Sequence, residues 1–244
     1  MGNIKCEYNW QNTGHQVWYD GTTQETLMST HPKQFVEEWD GAAGGSVIDG
    51  TMIWNTVDVG SGSTQAIVAD DDKFLLHIPA LSGACDSVLY QNDNKTFDVG
   101  NELVLEAGVT LAVAPGTGVC VVFGMAGDHN LDKDSVTEAA WFRLDASLAL
   151  KVETDDTTNN NDDIDTGITL VAGVKHIYRI DFSTLSDVKF FVDGNRVAYG
   201  TTFDMSNLSA SEAKMQPYFS LDKATGSGLG DMNIEYVKIF SNRD

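Results

Sequence analysis

The feature that most constrains the fold is a succession of short strand-like runs, which extends from about residue 47 to the C-terminus. Gly, Asp and Asn separate the runs and mark the turns between them. The run 174–182 alternates apolar and polar residues, so one of its faces points inward. The run 119–126 is apolar throughout, as in a central strand covered on both faces. About a dozen such runs predict an all-β chain built as a two-sheet antiparallel β-sandwich.

One pair of runs has the pattern of a tight hairpin. The apolar segment 188–192 is followed by Asp193 and Gly194, and a second strand-like segment begins at once. Asp-Gly tolerates the positive φ angles that two-residue turns require. We therefore expect 188–198 to form a β-hairpin with its turn at these two residues.

The first 46 residues differ from the rest, and we expect two parts: an N-terminal arm or small subdomain at 1–46 and a jelly-roll sandwich at 47–244. The segment 29–39 predicts one short helix, and the glycines near residue 44 predict a hinge. The arm concentrates aromatic residues, namely Trp10, Trp18, Phe35 and Trp39. Such residues dominate interface energetics, so the arm is predicted to contact other copies of the chain or a capsid. The alternative is that it folds back and completes its own sheet.

Charge and cysteine content limit the partners and the compartment. With 15 Lys and Arg against 36 Asp and Glu, the formal net charge is −21. This charge repels phosphate backbones and anionic membrane surfaces, so neither nucleic acid nor a membrane is an expected partner. The three cysteines stand far apart, which is typical of a protein folded in a reducing cytoplasm, and no signal peptide is visible.

Several motifs in the second half of the chain resemble one known superfamily. They are 176–182 (HIYRIDF), 188–194 (VKFFVDG), 215–219 (MQPYF) and 232–239 (MNIEYVKI). This succession resembles the concanavalin A-like jelly rolls, the superfamily of lectins and glucanases. The segments 123–127 and 141–142 are also similar to tailed-phage virion proteins of this fold. The resemblance covers about residues 50–243 and implies a jelly roll.

The superfamily's enzymes supply a test for catalytic residues. Its glucanases place their carboxylates in a Glu-x-Asp-x-Glu strand, so that alternate residues point into one cleft. The nearest match found here is Glu38-Trp39-Asp40, which lacks the third acid and lies in the arm. We therefore predict no catalytic residues, no bound cofactor and no enzymatic activity.

One loop has oxygen-bearing residues at alternate positions, which is the spacing that begins a calcium loop. These residues are Asp128, Asn130, Asp132 and Asp134. The turn glycine of an EF-hand is replaced by Lys133. A weak calcium site and a plain solvated loop both remain open at this point.

Three functions compete. The first is a non-enzymatic phage virion structural protein, a capsid decoration, cement or fibre-type component that acts as a homo-oligomer on the virion surface. The second is a carbohydrate-binding, lectin-like module, in which exposed aromatic rings stack on sugar rings. Candidates for such stacking are Trp54, Trp141, Tyr199 and Tyr218. The third is a glycoside hydrolase.

Overall fold

The computed structural model describes residues 4–8, 16–20, 22–23, 26–29, 33–39, 54–68 and 71–242. These residues form nineteen β-strands and three short 3-10 helices, at Val99–Asn101, Lys133–Ser135 and Leu185–Asp187. None of the helices in these ranges is long and apolar enough to cross a membrane. The prediction of an all-β, two-sheet antiparallel sandwich is confirmed.

Three antiparallel sheets account for these strands. The small sheet pairs β1 (Ile4–Tyr8), β2 (Gln16–Asp20) and β3 (Thr26–Ser29). The first large sheet runs in the order β17 (Asn195–Val197), β16 (Lys189–Val192), β15 (Lys175–Asp181), β10 (Val104–Val113), β19 (Gly230–Ser241), β7 (Lys73–Ile78), β6 (Thr64–Val68), with β4 (Lys33–Glu38) also paired to β19. The second runs β14 (Asn160–Thr169), β13 (Ala149–Asp156), β12 (Glu138–Asp145), β11 (Val119–Ala126), β18 (Lys214–Lys223), β8 (Cys85–Tyr90), β5 (Asn55–Val59), with β9 (Phe97–Asp98) beside β18.

The main core lies between the two large sheets and follows the alternation of the strands. On β12, Ala140, Phe142 and Leu144 are buried in this core. Their neighbours Ala139, Trp141 and Arg143 point to the other face of the sheet. Large aromatic rings fill the space between the sheets, including Phe74, Phe123, Phe142, Phe190 and Phe219.

The predicted hairpin is confirmed. Strands β16 and β17 pair with Val192 opposite Asn195, which leaves Asp193 and Gly194 as a two-residue turn. Their φ angles are 49° and 75°, so both residues have the left-handed conformation that this turn requires.

The helix predicted at 29–39 is wrong in its described part. Residues 33–38 form β4, which pairs with the second half of β19 from Tyr236 to Ser241, while β7 pairs with the first half. A strand satisfies the backbone groups that this half of the β19 edge would otherwise leave unpaired, which a helix could not do. Val36 is 49% exposed, so it does not share a buried face with Trp39.

Two of the four arm aromatics lie in the sandwich itself. Trp39 is 4% exposed and its ring packs on Trp54 and Phe74 at centroid distances of 5.9 and 5.1 Å. Phe35 packs against the same core. Both rings therefore pack within the chain, and the contact role predicted for the arm stays a prediction. Trp10, the side chain of Trp18 and the predicted domain boundary at 46 lie outside the described part of the chain.

Candidate functional site

The candidate site lies on the outer face of the second large sheet, which is the face turned away from the main core. The strand register places Glu153, Trp141, Gly124 and Tyr218 side by side across β13, β12, β11 and β18. Trp141 and Tyr218 belong to a second buried cluster on this face. The outer face is therefore a structured surface with its own packing.

Glu153 is the best-held carboxylate of this face. Its side chain is almost completely buried, and its Oε2 accepts a 2.7 Å hydrogen bond from the Nε1 of Trp141. The guanidinium of Arg143 lies 3.3 Å away. Burial raises the pKa of Glu153 to about 7, although the bond from Trp141 and the charge of Arg143 act in the opposite direction. Glu153 thus exchanges its proton near neutral pH.

Basic residues connect Glu153 to the neighbouring carboxylates. Arg143 forms ion pairs with Asp134 and Asp145, the latter at 3.0 Å. Lys151 lies between Asp145 and Asp163, 3.2 and 2.9 Å from their oxygens. These pairs fix the side chains in place before any ligand arrives.

Three carboxylates meet at the β13–β14 side of this network. One oxygen each from Glu153, Asp162 and Asp163 lie within 4.8 Å of one another. Burial by itself would raise the pKa of Asp163, but the hydrogen bond and charge of Lys151 outweigh it and hold this pKa below its usual value. The two carboxyls of Glu153 and Asp163 therefore have pKa values displaced in opposite directions. At many catalytic sites, opposite pKa displacements of this kind make one carboxyl the proton donor and the other the proton acceptor.

A small slot opens beside Glu153. Its volume is about 50 Å³, and Asp155, Asp162 and Trp141 also line it. This volume accepts a hydroxyl group or one or two waters, and it is too small for a sugar ring. We call Arg143, Lys151, Glu153, Asp162 and Asp163 the carboxylate cluster.

The other half of the outer face is covered by the chain itself. The segment 127–137 folds over Tyr218, and Lys133, which is 3% exposed, donates to the Tyr218 hydroxyl at 3.1 Å. His129 Nδ1 contacts the same hydroxyl at 2.6 Å. Burial raises the pKa of Asp86 beneath this segment and that of Asp222 beside it, the latter to about 7. Among the described residues, the β13–β14 side of the face stays exposed, with Lys151 at 27% and Asp163 at 49%.

The predicted calcium loop lies at the edge of this covering segment, and protein groups engage all four residues. Asp128 pairs with Lys95 at 2.8 Å, and Asp134 pairs with Arg143. Asn130 and Asp132 accept hydrogen bonds from backbone groups of the loop. The acidic residues of the loop do not form a metal-sized cluster within the described residues. Calcium binding here stays a prediction.

The aromatic residues proposed for sugar stacking differ in their solvent exposure. Trp54, Trp141 and Tyr218 are buried, whereas Tyr199 is 81% exposed. Three of the four are therefore packing residues in this structure.

The nearest match to the glucanase motif lies outside the candidate site. Glu38 is exposed at the end of β4 and Trp39 is buried, while Asp40 lies outside the described residues. Strand β13 contains Glu153-Thr154-Asp155, a Glu-x-Asp pair on the outer face that the sequence reasoning missed. The alternation of 149–156 is the signal that could have revealed it.

Comparisons with solved structures agree on the fold. An endo-1,3-beta-glucanase from Streptomyces sioyaensis superposes with a TM-score of 0.56 at 14% identity, covering 86% of this chain and 96% of that one. A glycoside hydrolase family 16 endo-glucanase from Bacteroides ovatus gives 0.53 at 13%, covering 84% and 99%. The carbohydrate recognition domain of Emp47p gives 0.51 at 12%, covering 78% and 89%. The fold is a concanavalin A-like jelly roll.

Searches by sequence found no relative. No family model matches the chain, and no curated protein matches it.

Two predictions are corrected by the structural comparisons. The prediction of a phage capsid decoration or fibre-type component is wrong, because the similar structures include glucanases, O-glycanases and a carbohydrate recognition domain. The prediction that the chain is not an enzyme is also corrected, because several structures that share its fold are glycoside hydrolases. Self-association stays a prediction.

Proposed function

We propose that this chain is a carbohydrate-binding protein and that the carboxylate cluster on its outer face binds a neutral β-glucan chain. The observation that carries this proposal is the fixed array of charged donors and acceptors around Glu153. Arg143 and Lys151 are held between four carboxylates, those of Asp134, Asp145, Glu153 and Asp163, and the array lies on the exposed side of the face.

The chemistry of the array suits sugar hydroxyls. Each hydroxyl both donates and accepts a hydrogen bond, so it needs acceptors and donors close together. Asp163 is 49% exposed and Lys151 is 27% exposed, and their charged ends are 2.9 Å apart. A hydroxyl beside them gains an acceptor and a donor at once, and a sugar's hydroxymethyl group fits the slot next to Glu153. Preorganisation of these groups reduces the entropy lost on binding.

The similar structures support this class of ligand. The Bacteroides ovatus endo-glucanase is in complex with G4G3G-2F-DNP, and a mixed linkage glucan protein of the same organism is in complex with its product G4G4G3G. Both share the sandwich at low identity, so they support the class of ligand and not a particular residue. The binding residues come from the geometry described above.

A second function, glycoside hydrolysis, is favoured by one specific observation. Glu153 and Asp163 bring carboxyl oxygens within 4.8 Å of each other, and retaining glycosidases also work with a pair of neighbouring carboxyl groups. Glu153, with its pKa of about 7, would protonate the leaving glycosidic oxygen. Asp163, whose pKa is held low, would attack the anomeric carbon as a carboxylate.

The test is calorimetric titration with a mixed-linkage β-glucan tetrasaccharide. Asp163→Asn removes the charge but keeps the shape, and Asn tolerates the positive φ of 55° at this position. We expect binding to weaken roughly tenfold, because a hydrogen bond to a charged group contributes about 1.5 kcal/mol or more. Release of reducing ends, measured on the same samples, tests hydrolysis, which Glu153→Gln should abolish.

The matched control is Asp193→Asn. Asp193 is 42% exposed, has a φ of 49° and lies in a turn of the other large sheet. Its variant should bind like the wild type. Equal affinities of wild type and Asp163→Asn, or no binding of any glucan by a folded wild type, would show that the cluster is not a glycan site.

A further inference from the structure

A larger cavity lies away from the carboxylate cluster, between β4, β9 and the segment that follows β8. Its volume is about 450 Å³, and its described lining is Phe35, Gln91, Asn94, Thr96 and Phe97. A neighbouring cavity of about 370 Å³ shares three of these residues, so the two adjoin. Volumes of this size are typical of small-molecule sites. None of the five residues that line the larger cavity is charged.

Aromatic rings form one wall of this cavity. The rings of Phe35 and Phe97 meet edge to face at 5.6 Å, and Phe35 packs in turn on the buried Trp54 at 5.9 Å. Both phenylalanines are only partly buried. The wall is held from behind by the core while part of each ring remains uncovered. The apolar C–H face of a sugar ring stacks on surfaces of this kind.

Gln91 lines the same cavity and has an unsatisfied polar atom just beneath its surface. Its side chain amide is buried at 1% exposure, and Nε2 has no hydrogen-bond partner among the described residues. The other terminal atom, Oε1, accepts a 2.8 Å bond from the hydroxyl of Thr96, which also lines the cavity. A buried amide without a partner is destabilising, so a turn of this side chain that presents the amide to a ligand in the cavity would be favoured.

The nature of that partner follows from the amide. If Nε2 is the open atom, the partner must accept a hydrogen bond. If the amide is turned over, Oε1 becomes the open atom and the partner must donate. A hydroxyl group does either, and a neutral sugar ring carries several hydroxyls next to an apolar face.

We propose that this cavity is a second sugar site, which takes one neutral pyranose ring with its C–H face on Phe97 and a hydroxyl on Gln91. The inference rests on the proposed carbohydrate-binding function and extends it to a separate place in the fold. A protein with two sites would hold a glucan chain at two points, which increases its overall affinity for polymers relative to short fragments.

The experiment measures binding of methyl β-glucoside and of the glucan tetrasaccharide by ligand-observed NMR titration. Phe97→Leu removes the ring while it keeps an apolar side chain, and Gln91→Met removes the amide at similar length. Each should weaken binding of methyl β-glucoside roughly three- to tenfold, the range expected for one aromatic contact or one hydrogen bond. Val171→Ala, which shortens an apolar side chain that is 62% exposed elsewhere, should change nothing.

Two cavity variants are used so that the test survives the misfolding of one of them. Thermal melting identifies a variant that does not fold, and the other variant still measures what the cavity contributes to binding. If Asp163→Asn alone weakens binding, the second site is overturned while the proposed function stands. If the two cavity variants alone weaken binding, the second site is supported and the carboxylate cluster is rejected. If the wild type does not bind methyl β-glucoside, the second site is overturned, and the tetrasaccharide titration decides the proposed function separately.

Discussion

Replacing Trp39 by alanine is expected to lower the free energy of unfolding by about 3–5 kcal/mol, the usual cost of emptying a large aromatic site in a core. Trp39 is 4% exposed and lies between Trp54 and Phe74, directly after the strand that completes the β19 edge. The cavity left behind would be bordered by rings that are packed on all sides and cannot close it.

Denaturant unfolding followed by far-UV circular dichroism measures this effect. Val36→Ala is the control, because Val36 belongs to β4 but is 49% exposed, and its loss should cost less than about 0.5 kcal/mol. For the same reason a chain that begins at Ser46 should be strongly destabilised, since it lacks β4 and Trp39. If Trp39→Ala unfolds like the control, the N-terminal region is a separate arm after all.

The stability of the wild type should fall as pH rises from about 4.5 to above 7. In this window Glu153 is protonated in the folded chain, where its pKa is about 7, but ionised in the unfolded chain, where its pKa is near 4.5. The folded state then binds more protons, so a rise in pH favours unfolding. The shift corresponds to roughly 3 kcal/mol for Glu153 alone. Asp222, with its pKa raised to about 7, acts in the same direction.

The measurement compares unfolding free energies at pH 5 and pH 8 for the wild type and Glu153→Gln. The variant keeps an acceptor for Trp141 but has no proton to lose, so its decline should be smaller by roughly 2–3 kcal/mol. Glu38→Gln removes one charge at an exposed position and controls for the general repulsion in a chain of net charge −21. Parallel declines in all three proteins would mean that Glu153 is not desolvated as described.

The fold could be predicted because its determinants are local and repetitive. Alternation at 174–182 predicted the buried face of β15, where Tyr178, Ile180 and Phe182 are at most 2% exposed. The turn between β16 and β17 could be predicted from Asp193-Gly194, because these residue types tolerate positive φ angles. The segment 33–38 was misread because its pattern fits a helix as well as a strand. Its conformation is decided by the unpaired half of β19, some two hundred residues away in the chain.

The site was harder to predict because it depends on register. Glu153, Asp162 and Asp163 come together only when β13 and β14 pair across a bulge, between Val152 and Thr154. Gln91 and Phe35 line one cavity because β4 joins a sheet that its own sequence does not indicate. The charged residues can be counted in the sequence. The burial that raises the pKa of Glu153, however, depends on how the strands pack in three dimensions.

The most direct test of carbohydrate binding is a crystal structure of the wild type grown with the mixed-linkage β-glucan tetrasaccharide at saturating concentration. We predict sugar density on the outer face over β12 to β14, with a hydroxyl within hydrogen-bond distance of Asp163 and Lys151 and a hydroxymethyl group in the slot beside Glu153. An outer face without sugar, in crystals where no neighbouring molecule blocks it, would contradict the proposal.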